Sequence, residues 1–148
     1  MTTLSVSPPP PATSELRRWV ITNVRELQAL REALLDTLMQ RRLIVTPALD
    51  DRADRVLLVA SELATNALIH GLPPSVVRLL EADDCFVLDI ADHDMQALPE
   101  LRDVEPFDSG GRGLHLARQL SLDVGWYATT EAKHIWASFP AVTATPNG

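Results

Sequence analysis

Three polar side chains, Glu62, Asn66 and His70, recur every four residues in a segment whose other positions are mostly apolar. Residues four apart on an α-helix are rotated by only about 40°, so these three would share one stripe of the helix surface. A carboxylate, an amide and an imidazole on one stripe can hold a metal ion or move a proton. Small neighbours such as Ser61 and Ala64 would let a ligand lie close. The alternative is a solvated polar face, which most surface helices carry.

A carboxylate and a glycine-rich run downstream of this helix could also bind a ligand. Asp92 directly follows the strand-like run CFVLDIA of residues 85–91, and a carboxylate there can accept hydrogen bonds from an exocyclic amine or contribute to a metal site. Residues 110–114 read GGRGL at the start of a helical pattern. Glycines there let backbone N–H groups approach a phosphate. Each feature by itself is more typical of a turn or a structural loop.

Hydrophobic periodicity predicts the elements that must position these groups. Leucines at helical spacing predict one helix over residues 24–41, with Asn23 and Glu26 as its capping pair, and a second helix from about Asp50 to Gly71. A third helix is predicted from Leu114 to Leu120, after a long loop. Strands are predicted at residues 17–21, 76–81, 85–91, 124–129 and 135–139. The pattern favours an α+β fold of two layers, a mixed and mostly antiparallel sheet under about three helices.

Composition and charge narrow the function classes. The 148 residues are 46% hydrophobic and 22% charged, which is typical of a globular domain. A net charge of −7 opposes phosphate backbones and argues against direct nucleic-acid binding. A single cysteine, Cys85, cannot form an internal disulfide, and no membrane span or secretion signal is apparent in the sequence. The sequence therefore predicts a cytoplasmic protein that does not enter membranes.

The chain divides into one domain and two tails. Residues 1–14 contain four consecutive prolines and no charged side chain, a composition typical of a disordered tail. Residues 15–140 carry all the periodic segments, and residues 141–148 form a second tail. We therefore expect a single folded unit over residues 15–140.

The motifs, in their order along the chain, resemble the Bergerat-fold (GHKL) ATPase superfamily. They are the stretch SELATNALIHG, the aspartate that ends a strand, the long loop, and GGRGL at a helix start. Within that superfamily the chain is most similar to the small anti-sigma factor serine kinases and their regulatory relatives. The likeness extends over residues 15–140, and Glu62–Gly71 is its most specific part.

The resemblance implies a role for each matching polar residue. Asn66 matches the asparagine that binds the Mg²⁺ ion bridging the ATP phosphates. Glu62 matches the general base that takes a proton from a water or from a protein serine. Asp92 matches the aspartate that accepts the adenine amino group. ATP and Mg²⁺ are thus the implied cofactors.

The resemblance also assigns the glycine-rich run to the phosphates. Gly111 and Gly113 match glycines whose backbone cradles the phosphates, with Arg112 and Leu114 beside them. Residues 93–110 would form the ATP lid. The implied activity is phosphorylation of a serine on an anti-anti-sigma partner, together with sequestration of a sigma factor. The sequence leaves open whether the protein forms a homodimer.

Two alternatives come from departures and from other residue clusters. The family's glycine two residues after the aspartate is Asp94 here, and the last strand reads Lys133–Trp136 where a hydroxyl is usual. Both departures favour a binding module that has kept the fold and lost turnover. A metal phosphohydrolase of the HD type, using His70, His93–Asp94 and Asp123, ranks lower because CFVLDIADHD predicts a strand and a loop rather than a helix.

Overall fold

The computed structural model describes residues 2–3, 6–12, 14–44, 52–94, 100–101 and 119–141. In that part of the chain the long helices are α1, Leu27–Gln40, and α2, Arg52–His70. The strands are β1 (Thr2–Thr3), β2 (Ser14–Ile21), β3 (Ser75–Glu81), β4 (Cys85–Asp92), β5 (Glu100–Leu101), β6 (Asp123–Ala128) and β7 (Lys133–Pro140).

Five of these strands form one antiparallel sheet in the order β2-β3-β4-β7-β6. β1 pairs separately with β5. All eight residues of β4 are buried, because this strand is central and is covered on both faces. The α+β prediction is confirmed. The third helix predicted at residues 114–120 lies largely outside the described residues, of which residues 119 and 120 are helical.

The helical layer lies on one face of the sheet. Its buried side chains recur at the spacing that the sequence predicted, so each helix turns one apolar stripe toward the strands. These side chains are Leu30, Leu34, Leu38, Val56, Val59, Leu63 and Ala67. They pack with the sheet residues Val77, Leu79, Phe86, Leu88, Ile90, Ala137 and Phe139. α2 therefore rests against the central strand, and this packing fixes where its polar flank lies.

A capping box starts the first helical segment, as the sequence predicted. The Asn23 side chain accepts a hydrogen bond from the Arg25 N–H at 2.9 Å, and Glu26 Oε1 accepts one from the Asn23 N–H at 3.2 Å. Glu26 also accepts from the Thr22 N–H at 2.7 Å, and this bond is the largest cause of its lowered pKa. A 3₁₀ turn, Val24–Glu26, then leads into α1.

We expect Asn23→Ala to lower the free energy of unfolding by about 1 kcal/mol, because the substitution leaves the Arg25 N–H without its acceptor. Urea denaturation followed by circular dichroism measures the loss. Asn23→Ser is the matched control, since serine caps helices about as well as asparagine. Equal losses for both variants would contradict a capping role.

The second face of the sheet carries its own apolar cluster. Its members are Leu80, Ala82, Cys85, Val87 and Trp136, with Tyr127 packed against them. Cys85 is a free thiol, and its burial raises its pKa.

The N-terminal segment contacts the edge of this second face. The Ser7 N–H donates to the Trp126 carbonyl at 2.9 Å, and the Trp136 indole N–H donates to the Ser7 carbonyl at 2.9 Å. A buried indole needs an acceptor, and Ser7 supplies it. The sequence predicted a disordered tail over residues 1–14, so these contacts differ from that expectation, and Ser14 already belongs to β2.

No helix in the described part of the chain combines the length and the apolarity that crossing a bilayer requires.

Candidate functional site

One flank of α2 carries the polar stripe that the sequence singled out. The helix is continuous from Arg52 to His70, so Glu62 and Asn66 lie on one side of it, one turn apart. Both residues are half-buried, whereas Leu63 and Ala67 on the neighbouring flank are buried against the sheet. The His70 side chain lies outside the described residues. The stripe thus borders the packed face of the helix, where a ligand between helix and sheet would meet it.

The end of α2 meets the end of β4. Gly71 follows the helix, and a Cβ atom placed on it would lie 2.5 Å from Asp92 Cγ and 2.6 Å from the Ala67 carbonyl oxygen. Only a residue without a Cβ allows this approach. The His93 N–H donates to the Leu72 carbonyl at 3.1 Å and holds the two segments together. Asp92 therefore lies at the same end of the helix as the stripe, and Asn66 precedes Gly71 by five residues, about 7.5 Å along the helix axis.

Among the residues that the structure describes, two groups bind the carboxylate of Asp92, whose residue is only 3% exposed. The Asp94 N–H donates to Oδ1 at 2.8 Å. Lys133 Nζ lies 3.6 Å from Oδ2, and the side chain of Lys133 is 8% exposed. Asp92 and Lys133 are direct partners across the β4–β7 pairing, so their side chains leave the sheet on the same face. That face also carries Ile90, which packs against the helical layer.

The residues present fit a nucleotide with a phosphate-bound Mg²⁺. A carboxylate has about four lone-pair directions, so Asp92 retains acceptor capacity for an exocyclic amine. Mg²⁺ takes one or two protein oxygens and completes its shell with phosphates and water, for which the Asn66 amide oxygen is sufficient. Among the described residues no group of three or more His, Cys, Asp or Glu side chains could hold a metal ion.

A comparison with known families identifies the domain. A model of the histidine kinase-like ATPase domain matches residues 21–139. The chain belongs to this family. The matched residues of this ATPase domain include α2, Asp92 and Lys133. A separate comparison with curated proteins finds no match. Histidine kinase-like ATPase domains bind nucleotide, usually with Mg²⁺, and this is the general function that the family gives to the chain.

The glycine-rich part of the predicted site is not covered by the structure. Gly111, Arg112, Gly113 and Leu114 lie outside the described residues. Of the predicted lid over residues 93–110, the structure describes residues 93, 94, 100 and 101. Their assignment to the phosphates stays a prediction, as do the roles of Glu62 and Asn66.

The HD-type alternative fails on geometry. Asp123 begins β6 beside Ser138, which pairs with Val87 near the start of β4. His93 and Asp94 follow the other end of that strand, so at least five residues, about 16 Å, separate them from Asp123. The structure therefore does not bring these side chains into one metal site.

Sequence reasoning did not assign Lys133 to the site. It is the only lysine of the chain and begins the last strand, whereas Asp92 ends β4. Antiparallel pairing of the last residue of one strand with the first residue of another places both at one edge of the sheet. A predicted pairing of β4 with β7 would have identified the lysine.

A second charged network lies on the opposite face of the sheet, away from α2. Asp89 is fully buried and accepts from the Tyr127 hydroxyl at 2.7 Å, while His134 Nδ1 lies 2.7 Å from its other oxygen. Arg78 Nη2 lies 3.4 Å from Asp89 Oδ2 and Nη1 lies 3.2 Å from Glu15. Burial and the neighbouring Asp89 carboxylate raise the pKa of Tyr127, so its hydroxyl stays a donor. These contacts join β2, β3, β4, β6 and β7.

Proposed function

We propose that this ATPase domain is an ATP–Mg²⁺-binding regulator of the anti-sigma type. It would phosphorylate a serine on an anti-anti-sigma partner and sequester a sigma factor. The observation that carries the proposal is the approach of Asp92 to the end of α2 through Gly71. That contact holds a buried carboxylate, which would bind the adenine base, at the end of the helix whose Glu62 and Asn66 would reach the phosphates.

Each residue has a role that its position supports. Asp92 would accept a hydrogen bond from the exocyclic amine of adenine. Asn66, on the half-buried flank of α2, would supply an oxygen to the metal that ATP carries between its phosphates. Glu62, one turn earlier, would accept the proton of the attacking serine hydroxyl. The Mg²⁺ ion would neutralise phosphate charge near these acidic groups.

A non-catalytic module of the same fold is the second candidate. The observation that favours it is the occupancy of Asp92, since the Asp94 N–H and the Lys133 ammonium already bind its two oxygens. A domain of this kind would bind its protein partner with little or no nucleotide. Calorimetry with ATP and Mg²⁺ separates the two candidates, because undetectable binding at millimolar ATP leaves only the second.

We expect Asn66→Ala to lower the affinity for ATP at least tenfold when Mg²⁺ is present, because the metal loses its protein oxygen. Isothermal titration calorimetry of both proteins with ATP and Mg²⁺ measures the change. In EDTA the two proteins should bind ATP equally. Gln40→Ala, which removes an exposed amide at the end of α1, is the control and should bind as the wild type does.

Equal affinity of the wild type and Asn66→Ala for ATP with Mg²⁺ would contradict the metal-ligand role of Asn66.

The kinase step has its own test, which uses ATP labelled in the γ-phosphate and a purified anti-anti-sigma protein. Transfer of label to a serine of that protein supports the proposal. An unlabelled partner after incubation with ATP-binding wild-type protein would remove the kinase activity and leave nucleotide binding.

A further inference from the structure

The pairing of Lys133 with Asp92 gives the base-binding end of the site a donor beside its acceptor. The two side chains leave adjacent strands on the face toward α2, and Nζ lies 3.6 Å from Oδ2. Both residues are buried, Asp92 at 3% and Lys133 at 7% exposure. A fixed acceptor and a fixed donor at this separation can contact neighbouring atoms of one flat ring edge.

Stability alone does not account for this pair. Removing two charges from water costs about as much as their attraction returns, so buried ion pairs contribute little to net stability. The pair lies between the end of α2 and the sheet, at the place where Asp92 would meet the base. A role in ligand recognition would account for the pair.

We infer that Lys133 is a specificity-determining residue, which donates a hydrogen bond to N1 of adenine while Asp92 accepts one from the 6-amino group. The inference rests on the proposed binding of ATP with its base at Asp92. An ammonium has three N–H donors and can contact a carboxylate and a ring nitrogen together. Acceptor and donor thus match the donor and acceptor that adenine carries side by side.

Guanine presents the reverse pattern to the same two residues. Its O6 acceptor would face the Asp92 carboxylate, and its N1–H donor would face the Lys133 ammonium. Both contacts are unfavourable, and unpaired buried polar groups make such a mismatch costly. Lys133 therefore adds a repulsive element against guanine as well as an attractive one for adenine.

Two analogues isolate this contact on the wild-type protein. In 1-deaza-ATP a C–H group replaces N1, so the acceptor is lost while the amino group stays. We expect calorimetry with Mg²⁺ to show about tenfold weaker binding of 1-deaza-ATP than of ATP, the effect of one hydrogen bond to a charged donor. GTP should bind at least about a hundredfold more weakly than ATP.

The variant Lys133→Met removes the donor from the protein, as 1-deaza-ATP removes the acceptor from the nucleotide. Methionine fills a similar volume and has no N–H group. In this variant the ratio of the affinities for ATP and 1-deaza-ATP should fall to about one, and the ratio of the affinities for ATP and GTP should fall about tenfold. Arg31→Met, which removes one positive charge from an exposed position on α1, is the matched control and should keep both ratios. Circular dichroism checks that each variant is folded. If Lys133→Met does not fold, the comparison of ATP with 1-deaza-ATP on the wild-type protein still decides the role of Lys133.

Equal binding of ATP and 1-deaza-ATP by the wild type would overturn the role of Lys133. So would a Lys133→Met variant that is folded and keeps the wild-type ratio. Absence of any nucleotide binding by the wild type is a different result, because it would overturn the proposed function itself. If ATP binding depends on Asn66 but ATP and 1-deaza-ATP bind equally, only the contact of Lys133 with the base is removed and the proposed function stands.

Discussion

Replacing Asp89 by alanine is expected to lower the free energy of unfolding by about 3–5 kcal/mol. The residue is fully buried and binds Tyr127 and His134 at 2.7 Å each and Arg78 at 3.4 Å. Its removal takes the Asp89 acceptor from Tyr127 and His134 and leaves the half-buried Arg78 guanidinium with Glu15 as its remaining carboxylate partner. Domains of this size are stable by only about 5–15 kcal/mol, so this change takes a large share.

Urea denaturation followed by circular dichroism gives the free energy directly. Asp83→Ala is the matched control, because Asp83 has the same charge and is exposed in the turn between β3 and β4. It should change the stability by no more than about 0.5 kcal/mol. If Asp89→Ala does not fold, Asp89→Asn keeps an acceptor and should give an intermediate loss. A stability for Asp89→Asn equal to that of the wild type would show that the charge at this position does not matter.

The elements of the fold that depend on local pattern were predictable. The capping pair Asn23 and Glu26, the leucine stripe of α1 and the polar stripe of α2 each follow from residues within a few positions of one another. Such features depend on helix geometry, and helix geometry is the same in every fold. The positions of Glu62 and Asn66 on one helix flank therefore came from the sequence alone.

The charged pairs depended on the strand order. His134 and Tyr127 are 45 and 38 positions from Asp89 in the chain and meet it only because β7 and β6 lie beside β4 in that order. The same register brings Lys133 to Asp92. A shift of one residue would turn every side chain of a strand to the other face, so pairing of this kind does not follow from local periodicity.

Glycines show the same division between local and distant information. The sequence indicates Gly71 as a helix end, which the structure confirms, since α2 ends at His70. Its second role, clearance for Asp92, depends on a strand that begins 14 residues later at Cys85 and returns to the end of α2. Gly125 likewise lacks the Cβ that would collide with Ser7, a residue far away in the chain.

If the proposed kinase activity holds, replacing Glu62 by glutamine is expected to slow phosphoryl transfer to the partner serine by about 10²–10⁴-fold. The amide keeps the size of the side chain and cannot accept a proton, so the proposed general base is lost without a change in packing on the half-buried flank of α2. ATP affinity should stay within about threefold of the wild type, because positioning and binding belong to other residues. The variant thus separates chemistry from binding.

Label transfer from ATP to a partner serine, measured at saturating ATP, gives the rate, and calorimetry on the same protein gives the affinity. Glu32→Gln, the same substitution at an exposed position of α1, should leave both unchanged. A Glu62→Gln variant that transfers phosphate at the wild-type rate would exclude Glu62 as the base. If instead rate and affinity fall together, Glu62 acts on the bound nucleotide or its metal, because loss of a base alone leaves the ground-state complex intact. The half-buried position one turn from Asn66 favours a loss of rate with unchanged ATP affinity, because a carboxylate there would lie beyond the proposed metal ligand, where the attacking hydroxyl would approach.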